Sequence, residues 1–449
     1  MNNMTTPIAD FVKKYAHSDV SRFHMPGHKG VSFLGCEKLD ITEISGADVL
    51  GSANGIIAQS EESASLLFGS RHSFYSTEGS TLVIKTMLAL IKKSAAVNQR
   101  VKILAARNAH KAFIYACALL DLDVEWIYSE TPTHICACHV SAEQVEKELK
   151  DAEALPAALY ITTPDYLGNI ADVSGIADVC HKYGVPLLVD NAHGAYLAFT
   201  QPSLHPLALG ADMCCDSAHK TLPVLTGGAY LHVSKRFERF STEQIRGVMS
   251  IFASTSPSYL ILQSLDICNR YLADGYIQRL AHFIGRVKEL KSELCALGFP
   301  PESTEELKLV LSKPSCAYSG NELSRMLSAL GIEVEFADED TLVLMLTPEL
   351  TENDLLRLVS AFKTLPRRTP SKTTCTLKVV RPTPALTIRE AMFAPSETVY
   401  VKASLGRICA IPTVSCPPAI PIVVGGEIID KNAIELFDYY GIEKIDVVK

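Results

Sequence analysis

Short apolar runs alternate with longer amphipathic stretches from about residue 61 to residue 245. The apolar runs are rich in β-branched residues, which indicates buried strands. They predict strands at Val101–Ala105, Ala157–Thr162, Pro186–Asp190 and Gly228–His232. Stretches such as Ser80–Lys93 and Ser174–Tyr183 have the spacing of amphipathic helices. This alternation predicts an α/β fold with a mostly parallel sheet and helices on both of its faces.

The flanking parts of the chain have different patterns. Residues 1–60 form a predicted arm, with a short helix from Ile8 to Tyr15 and the Gly/Pro/His loop RFHMPGHKG. A long amphipathic helical region runs from Ser258 to about Leu297. Residues 305–366 alternate strands (KLVLSK, TLVLML) with helices (ELSRMLSALG, TENDLLRLVSAFKTL), and RRTPSKTT after them is a predicted linker. The predicted domains are an arm at 1–60, a large domain at 61–295, a small α/β domain at 296–370 and a C-terminal domain at 371–449.

Composition narrows the class of protein. The 449 residues include 47% apolar and 20% charged residues, which is typical of a soluble globular protein. The net charge of −8 argues against a nucleic-acid-binding surface. The 13 irregularly spaced cysteines are typical of reduced thiols. There is no signal-peptide pattern and no apolar run of ~18 residues, so we expect a cytoplasmic protein that does not bind a membrane.

The segment PLLVDNAHGAYLAF places a carboxylate at the end of a predicted strand. Asp190 follows the apolar run PLLV, at the carboxyl end where α/β sheets bind ligands. Ala192 is small enough to let a flat ring lie against the strand, and His193 comes next. Asp190 could hold a proton on a ring nitrogen of a cofactor. Alternatively, Asp190 caps a turn before Gly194.

The segment DSAHKTLPVLTGGAYLH holds a lysine between apolar strands. Ser217, His219 and Thr226 lie near Lys220 in the sequence. Nearby cations and desolvation lower the pKa of a lysine and make its amine nucleophilic. Alternatively, Lys220 is an exposed lysine that happens to follow a histidine. Lys220 follows Asp190 by 30 residues, which leaves room for one helix or loop and one strand.

The segment FYSTEGSTLVIKTMLAL begins a helical pattern with Gly79, Ser80 and Thr81. Backbone N–H groups at a helix start, with two hydroxyls, form a phosphate site. Alternatively, Ser80 is only an N-cap. Enzymes that use pyridoxal 5'-phosphate (PLP) need a lysine for the cofactor, a carboxylate at its pyridine nitrogen, a phosphate site and a flat group over the ring. Taken together, the three segments predict PLP as the cofactor.

These and other segments resemble the Orn/Lys/Arg decarboxylase family, which has the PLP-dependent transferase fold of type I and an aspartate-aminotransferase-like core. The chain length is similar to the short form of that family, which lacks the additional amino-terminal receiver-like domain. The matching segments follow the family order: RFHMPGHKG, ITEISGADVLG, FYSTEGST, ARNAHKAF, TTPDYLGNIADV, LLVDNAHGAYLAF, DSAHKTLPVLTGGAYL, STSPSYLILQSLD and LGRICAIPTVSCPPAIPIVVGGE.

The resemblance implies a role for each site residue. Lys220 would form the Schiff base with PLP, Asp190 would pair with the pyridine nitrogen, and His110 would stack on the ring. His193 and His219 would flank the cofactor, and His219 would contact the substrate carboxylate or deliver a proton. The other cofactor-binding residues would be Gly79, Ser80, Thr81, Ala192 and Ser217, with Ser254, Thr255 and Ser256 reaching the phosphate of a neighbouring subunit. That last contact implies a homodimer or higher homo-oligomer with shared active sites.

The resemblance also implies the reaction. A basic L-amino acid, with arginine favoured over lysine or ornithine, would lose CO₂ to give an amine for polyamine biosynthesis. A distal cation must meet a carboxylate, because an unpaired buried charge is costly. Glu427 in GGEIID is the candidate, or else it is a surface or helix-start residue. His28 in RFHMPGHKG is a further candidate for contact with the substrate.

Four positions depart from the family pattern. The family usually has Asn, Glu, Tyr and Gly where this chain has Glu78, Asn191, Cys416 and Ala419. The last two lie in the carboxyl-terminal segment that shapes the substrate pocket in the family. The segment PGE of the family is GGE in this chain. The departures therefore concern the identity of the substrate more than the binding of the cofactor.

Other functions remain to be weighed against decarboxylation. An aminotransferase or another PLP-dependent lyase would use the same lysine and aspartate, and a catalytically silent subunit would serve regulation. A nicotinamide-dependent enzyme is excluded because no G-x-G-x-x-G follows a predicted strand. RFHMPGHKG lacks the P-loop pattern. THICACH lacks a second ligand pair at zinc spacing, so no metal is expected.

Overall fold

The computed structural model describes residues 4–130, 134–369, 381–412 and 419–449. The strands are β1 (His72–Ser76), β2 (Val101–Ala106), β3 (Leu122–Ile127), β4 (Ala158–Thr162), β5 (Leu187–Asp190), β6 (Met213–Asp216), β7 (Ala229–Val233), β8 (Lys308–Ser312), β9 (Phe336–Ala337), β10 (Thr341–Met345), β11 (Ser396–Tyr400) and β12 (Lys444–Val448). The helices are α1 (Pro7–Ala16), α2 (Ile56–Phe68), α3 (Gly79–Ser94), α4 (Lys111–Leu120), α5 (Ala142–Asp151), α6 (Val173–Tyr183), α7 (Ala218–Thr221), α8 (Thr242–Ser250), α9 (Tyr259–Ala273), α10 (Tyr276–Leu297), α11 (Lys313–Cys316), α12 (Gly320–Ala329), α13 (Glu352–Thr364), α14 (Ile388–Phe393) and α15 (Lys431–Tyr439).

The first seven strands form one sheet with the order β1-β7-β6-β5-β4-β2-β3. β5 pairs in parallel with β6, and β2 pairs in parallel with β3. β7 runs antiparallel to both β6 and β1. Every residue of β5 and β6 is buried, as expected for strands that are covered on both faces. The predicted α/β fold with a mostly parallel sheet is therefore confirmed.

The predicted helices and strands are found close to their expected bounds. α3 and α6 differ by one residue at most from the predicted ends, and α9 and α10 fill the predicted helical region from Ser258 to Leu297. The sequence patterns did not predict β1, β3 and β6. In β1 and β3, HSFYS and LDVEWI, polar residues interrupt the apolar run. β6 is only four residues long and includes the buried charge of Asp216.

The chain divides into two compact units. The first comprises the residues up to Val97, Ala158–Tyr160 and Val173–Arg279. In this unit α2 packs against β1 and α9, and α3 packs against β7. Arg246 on α8 forms a buried ion pair with Glu61 on α2. These contacts fix the helices beside the strands whose ends carry the predicted site.

The second unit comprises Asn98–Ala157, Ile161–Asp172 and Leu280–Lys449. It contains an antiparallel sheet, β8-β10-β9, and the pair β11–β12. β8, β10, α12 and α13 confirm the strands and helices that were predicted within residues 305–366. The domain boundaries stay a prediction, and RRTPSKTT extends past the described residues. None of the described helices has the length and hydrophobicity that a membrane span requires.

Candidate active site

Strand pairing brings four strand ends to one edge of the sheet. Asp190 at the end of β5 pairs with Cys215, and Asp216 at the end of β6 pairs with Tyr230 near the start of β7. Ser76 at the end of β1 pairs with Ala229, the first residue of β7. The loops that follow β1, β5 and β6 therefore leave the sheet at the same edge. Those loops carry the residues predicted to bind the cofactor, namely Gly79, Ser80, Thr81, Ala192, His193, Ser217, His219 and Lys220.

Asp190 is buried, and three donors fix the orientation of its carboxylate. The Tyr160 hydroxyl donates to Oδ2 at 3.0 Å, and the Ala192 N–H donates to Oδ1 at 3.2 Å. The Cys215 thiol lies 3.3 Å from Oδ1. Burial, together with the neighbouring Asp190 charge, raises the pKa of the Cys215 thiol well above its usual range. Cys215 therefore stays protonated and donates its S–H to Asp190.

Lys220 lies on the short helix α7, directly after β6. Its Nζ is 3.1 Å from Nε2 of His193, which belongs to the loop after β5. The His219 N–H donates to the Gly228 carbonyl, and its Nδ1 lies 3.4 Å from the Ser217 hydroxyl. The Lys220 amine and the His193 imidazole are therefore close enough to exchange a proton, and a second imidazole, that of His219, lies beside a hydroxyl in the same loop.

A glycine turn starts α3 at the same edge. Gly79 has φ +71, in the left-handed region that favours glycine, and its N–H donates to the Gly227 carbonyl at 2.7 Å. Gly227 has φ +98, and a Cβ at this position would lie 3.1 Å from the Thr77 carbonyl oxygen. Ser80 and Thr81 follow in the first turn of a 16-residue helix. A helix start of this length, with two hydroxyls, suits a phosphate group.

Glu78, one of the four departures, immediately precedes this turn. Its Oε1 accepts the Ser254 N–H at 2.6 Å, and the Ser254 hydroxyl accepts the Ser256 N–H at 3.1 Å. The exposed loop Ser254–Ser256 therefore lies beside the start of α3 of its own chain. The prediction that this loop, including Thr255, reaches the phosphate of a neighbouring subunit stays a prediction.

A buried polar network that the sequence analysis missed supports the ends of β5 and β6. Asp216 accepts hydrogen bonds from the Asn191 amide at 2.6 Å and from His205 Nε2 at 3.0 Å. His232 Nε2 lies 3.3 Å from the same carboxylate. Burial opposes the charge of Asp216, but the two histidines outweigh it and hold the pKa of its carboxyl well below its usual range. Since Ser217 and Lys220 directly follow, the network positions the lysine loop.

Asn191, another of the four departures, gives this network an amide donor to Asp216, which a glutamate carboxylate at the same position would not provide. We expect Asn191→Asp to lower the free energy of unfolding by about 3 kcal/mol, because a second buried carboxylate would then face Asp216 in place of the amide that donates to it. Urea unfolding of the PLP-free protein measures the change. In the double variant Asn191→Asp/Asp216→Asn, one amide again faces one carboxylate. Its free energy of unfolding should therefore return most of the way to the value of the parent. A single variant within 1 kcal/mol of the parent would rule this explanation out.

His110 and Glu427 belong to the second unit. His110 is the N-cap of α4, and its Nδ1 accepts the Ala112 N–H at 3.1 Å. Glu427 is buried, so it is neither a surface residue nor the start of a helix. Its Oε2 is 3.1 Å from Arg107 Nη2. Burial raises the pKa of the Glu427 carboxyl, an effect that Arg107 and the Val424 N–H oppose.

Ala419 occupies a backbone position that favours glycine. Its φ is +58, and the left-handed conformation costs a residue with a Cβ about 1–2 kcal/mol. The Ala419 carbonyl accepts the Lys111 N–H at 2.9 Å. This chain therefore keeps a glycine-like turn with alanine at the position where the family has glycine. Cys416 lies outside the described residues.

Two further sequence segments have contacts that do not involve these strand ends. His28 lies 3.2 Å from Asp40 and accepts the Gly30 N–H, so its contact with substrate remains a prediction. In THICACH, His134 pairs with the buried Asp338 at 2.8 Å and accepts the Cys136 N–H. The histidine of that segment is therefore part of a buried polar pair.

Solved structures with the same architecture define the class of fold. A lysine decarboxylase of Francisella novicida, LdcF, superposes with a TM-score of 0.82 at 17% identity, over 100% of this chain and 82% of its own. A serine palmitoyltransferase of S. paucimobilis with bound PLP has a TM-score of 0.52 at 16% identity, over 68% of this chain and 74% of its own. The fold is that of the fold-type-I PLP-dependent enzymes.

Sequence comparison identifies the family. The family model "Orn/Lys/Arg decarboxylase, major domain" matches residues 6–297. An arginine decarboxylase of Bacillus subtilis is 30% identical over 97% of this chain and 93% of its own length. The B. subtilis protein YaaO, of uncharacterized function, is 30% identical over 96% and 93%. The chain belongs to the Orn/Lys/Arg decarboxylase family.

Proposed function

We propose that this protein is a PLP-dependent decarboxylase of a basic L-amino acid, with arginine the first candidate and lysine or ornithine next. The observation that carries the proposal is the sheet edge that gathers Lys220, Asp190 and the start of α3. The chain matches an arginine decarboxylase over almost its whole length, which supports arginine. The LdcF structure is that of a lysine decarboxylase, which keeps lysine as the second candidate.

The residues at this edge fit PLP. Lys220 offers an amine beside His193, Asp190 offers a fixed buried carboxylate, and the start of α3 offers N–H groups and hydroxyls. Ala192 has no side chain beyond Cβ, so a flat ring can lie against the end of β5. When bound, PLP supplies an electron sink for the charge that remains at Cα when CO₂ leaves.

Each residue then has a task in the proposed reaction. Lys220 would hold the cofactor through its amine, which lies beside His193. Asp190 would keep a proton on the pyridine nitrogen, which lets the ring accept charge. His193 exchanges a proton with Lys220, at a distance of 3.1 Å between Nε2 and Nζ. By the family resemblance, His219 would meet the substrate carboxylate or return a proton to Cα, and His110 would stack on the ring.

Assembly, location and pathway are further parts of the proposal. We place the enzyme in the cytoplasm, in the synthesis of polyamines from basic amino acids. A homodimer would let Ser254, Thr255 and Ser256 reach the phosphate of the neighbouring subunit. Light scattering at assay concentration tests this assembly, and a fully active monomer would refute it.

A CO₂-release assay tests the reaction. With PLP added, the purified protein should release CO₂ from arginine, lysine or ornithine and form one amine per CO₂. The remaining common amino acids serve as controls, and keto-acid formation is followed in parallel. Release of keto acid without CO₂ would identify an aminotransferase. No CO₂ from any of the three basic amino acids would disprove the proposed substrate class.

A further inference from the structure

We propose that Glu427 and Arg107 are positioning residues that hold the turn carrying His110, and that Glu427 does not bind the substrate cation. The inference rests on the proposed function, because His110 has a catalytic setting only if PLP is bound. It replaces the substrate contact that the sequence predicts for Glu427. The contacts that carry it all lie in the second unit.

The Glu427 carboxylate already has partners. Its Oε2 accepts the Val424 N–H at 2.7 Å and lies 3.1 Å from Nη2 of Arg107. The side chains of Glu427 and Arg107 are only 6% and 12% exposed. A buried carboxylate that already balances a buried cation has no charge left for a second cation. Separating such a pair to admit a substrate would leave a buried charge without its partner, which is costly.

The Glu427 backbone is fixed as well. Its N–H donates to the Val424 carbonyl at 3.1 Å, and its carbonyl accepts the Cys409 N–H at 2.9 Å. It also forms an antiparallel bridge with Pro384. The carboxylate is therefore presented to Arg107 from a rigid segment, as a positioning role requires.

Arg107 links that segment to the turn between β2 and α4. Its Nη2 also donates to the Ile422 carbonyl at 3.0 Å, and its guanidinium stacks on Trp126 at 4.9 Å from the ring centre. The Arg107 N–H donates to the Ile127 carbonyl at 3.0 Å. The Arg107 side chain is therefore fixed by both the carboxyl-terminal segment and Trp126. Arg107 lies three residues before His110 in ARNAHK, so its position affects the turn that carries His110.

A second link holds the other end of the same turn. The Lys111 N–H donates to the Ala419 carbonyl at 2.9 Å. The carboxyl-terminal segment Ala419–Glu427 therefore contacts the turn at Arg107, three residues before His110, and again at Lys111, directly after it. We call these two contacts the His110 clamp. Loss of the ionic contact should let the turn move while the fold remains.

Kinetics separate the clamp from a substrate contact. Glu427→Gln should lower kcat by about 10²-fold on every basic amino acid that the parent uses, as expected for a displaced catalytic group. KM for the same substrates should change by less than about threefold, because the substitution removes no contact with the bound substrate. A large rise in KM with kcat unchanged would overturn the clamp and make Glu427 the substrate carboxylate.

Hydrogen exchange gives a readout that needs neither cofactor nor activity. In PLP-free protein, Glu427→Gln should speed amide exchange in the peptide spanning Arg107 to Phe113, because the clamp restrains that turn. Unchanged exchange in this peptide would also overturn the clamp. A parent that releases no CO₂ would refute the proposed function, while the exchange result would still decide the clamp.

Matched variants control for general effects. Glu397→Gln breaks an exposed pair with Arg407 in the same part of the chain, and should change neither kcat nor exchange at 107–113. If Glu427→Gln does not fold, Arg107→Lys is measured instead. Lysine keeps the positive charge but lacks the planar guanidinium donors. Amide exchange at 107–113 should therefore become faster and kcat should fall, each by less than in Glu427→Gln. No change in either quantity would overturn the clamp.

Discussion

Lys220→Ala should abolish the visible absorption band of bound PLP and lower kcat by at least about 10⁴-fold, as removal of an essential nucleophile does in other enzymes. Among the residues that the structure describes at this sheet edge, Lys220 is the one whose amine can join the PLP carbonyl. The reaction is followed by CO₂ release from arginine and lysine, and the band by absorption spectroscopy after addition of PLP.

Lys235→Ala is the matched control, because Lys235 is an exposed lysine just after β7. It should retain both the band and the activity. Addition of a small primary amine to Lys220→Ala should restore part of the rate, since the cavity left by the side chain can admit it. A Lys220→Ala enzyme with activity within tenfold of the parent would contradict the assignment.

Asp190→Asn should lower kcat by about 10²–10³-fold while the protein still folds and binds PLP, because a neutral amide no longer stabilises the charge that develops in the ring. The Tyr160 hydroxyl, the Ala192 N–H and the Cys215 thiol surround the carboxylate, and an amide of the same size fills the same space. The measurement is kcat per PLP bound, with PLP content determined separately.

Asp212→Asn provides the comparison for a buried aspartate outside the site. Asp212 directly precedes β6, at the opposite edge of the sheet, and accepts the Leu187 N–H at 2.8 Å. Its substitution should lower stability and leave kcat per bound PLP unchanged. If Asp190→Asn and Asp212→Asn affect kcat equally, the charge of Asp190 has no special role.

The sequence was sufficient for the parts of the site that depend on local pattern. An apolar run that ends in Asp190 predicts a buried strand with a carboxylate at its carboxyl end, and β5 has that form. Gly79 before Ser80 and Thr81 predicts a turn into a helix, and the turn has the left-handed backbone that glycine favours. Because these strands run parallel, their carboxyl ends lie at the same edge of the sheet, where the loops that carry the site begin.

Contacts between distant residues could not be read from such patterns. Asp216, His205 and Asn191 are spread along the chain, and none has a local spacing that indicates a network. The sequence GGEIID does not show whether the carboxylate of Glu427 is exposed at the surface, binds the substrate or forms an ion pair. Only the fold brings Glu427 to Arg107, 320 residues earlier in the chain. Cysteine at position 215 likewise has no signal in the sequence for its bond to Asp190.

Borohydride reduction of the PLP-loaded enzyme, followed by peptide mass spectrometry, tests whether Lys220 carries the cofactor. The reagent fixes the linkage between PLP and its lysine as a stable pyridoxyl amine. We predict loss of the visible band, complete inactivation and one modified peptide that carries the pyridoxyl group on Lys220. A modified lysine at any other position, or no adduct in an enzyme that still releases CO₂, would contradict this prediction.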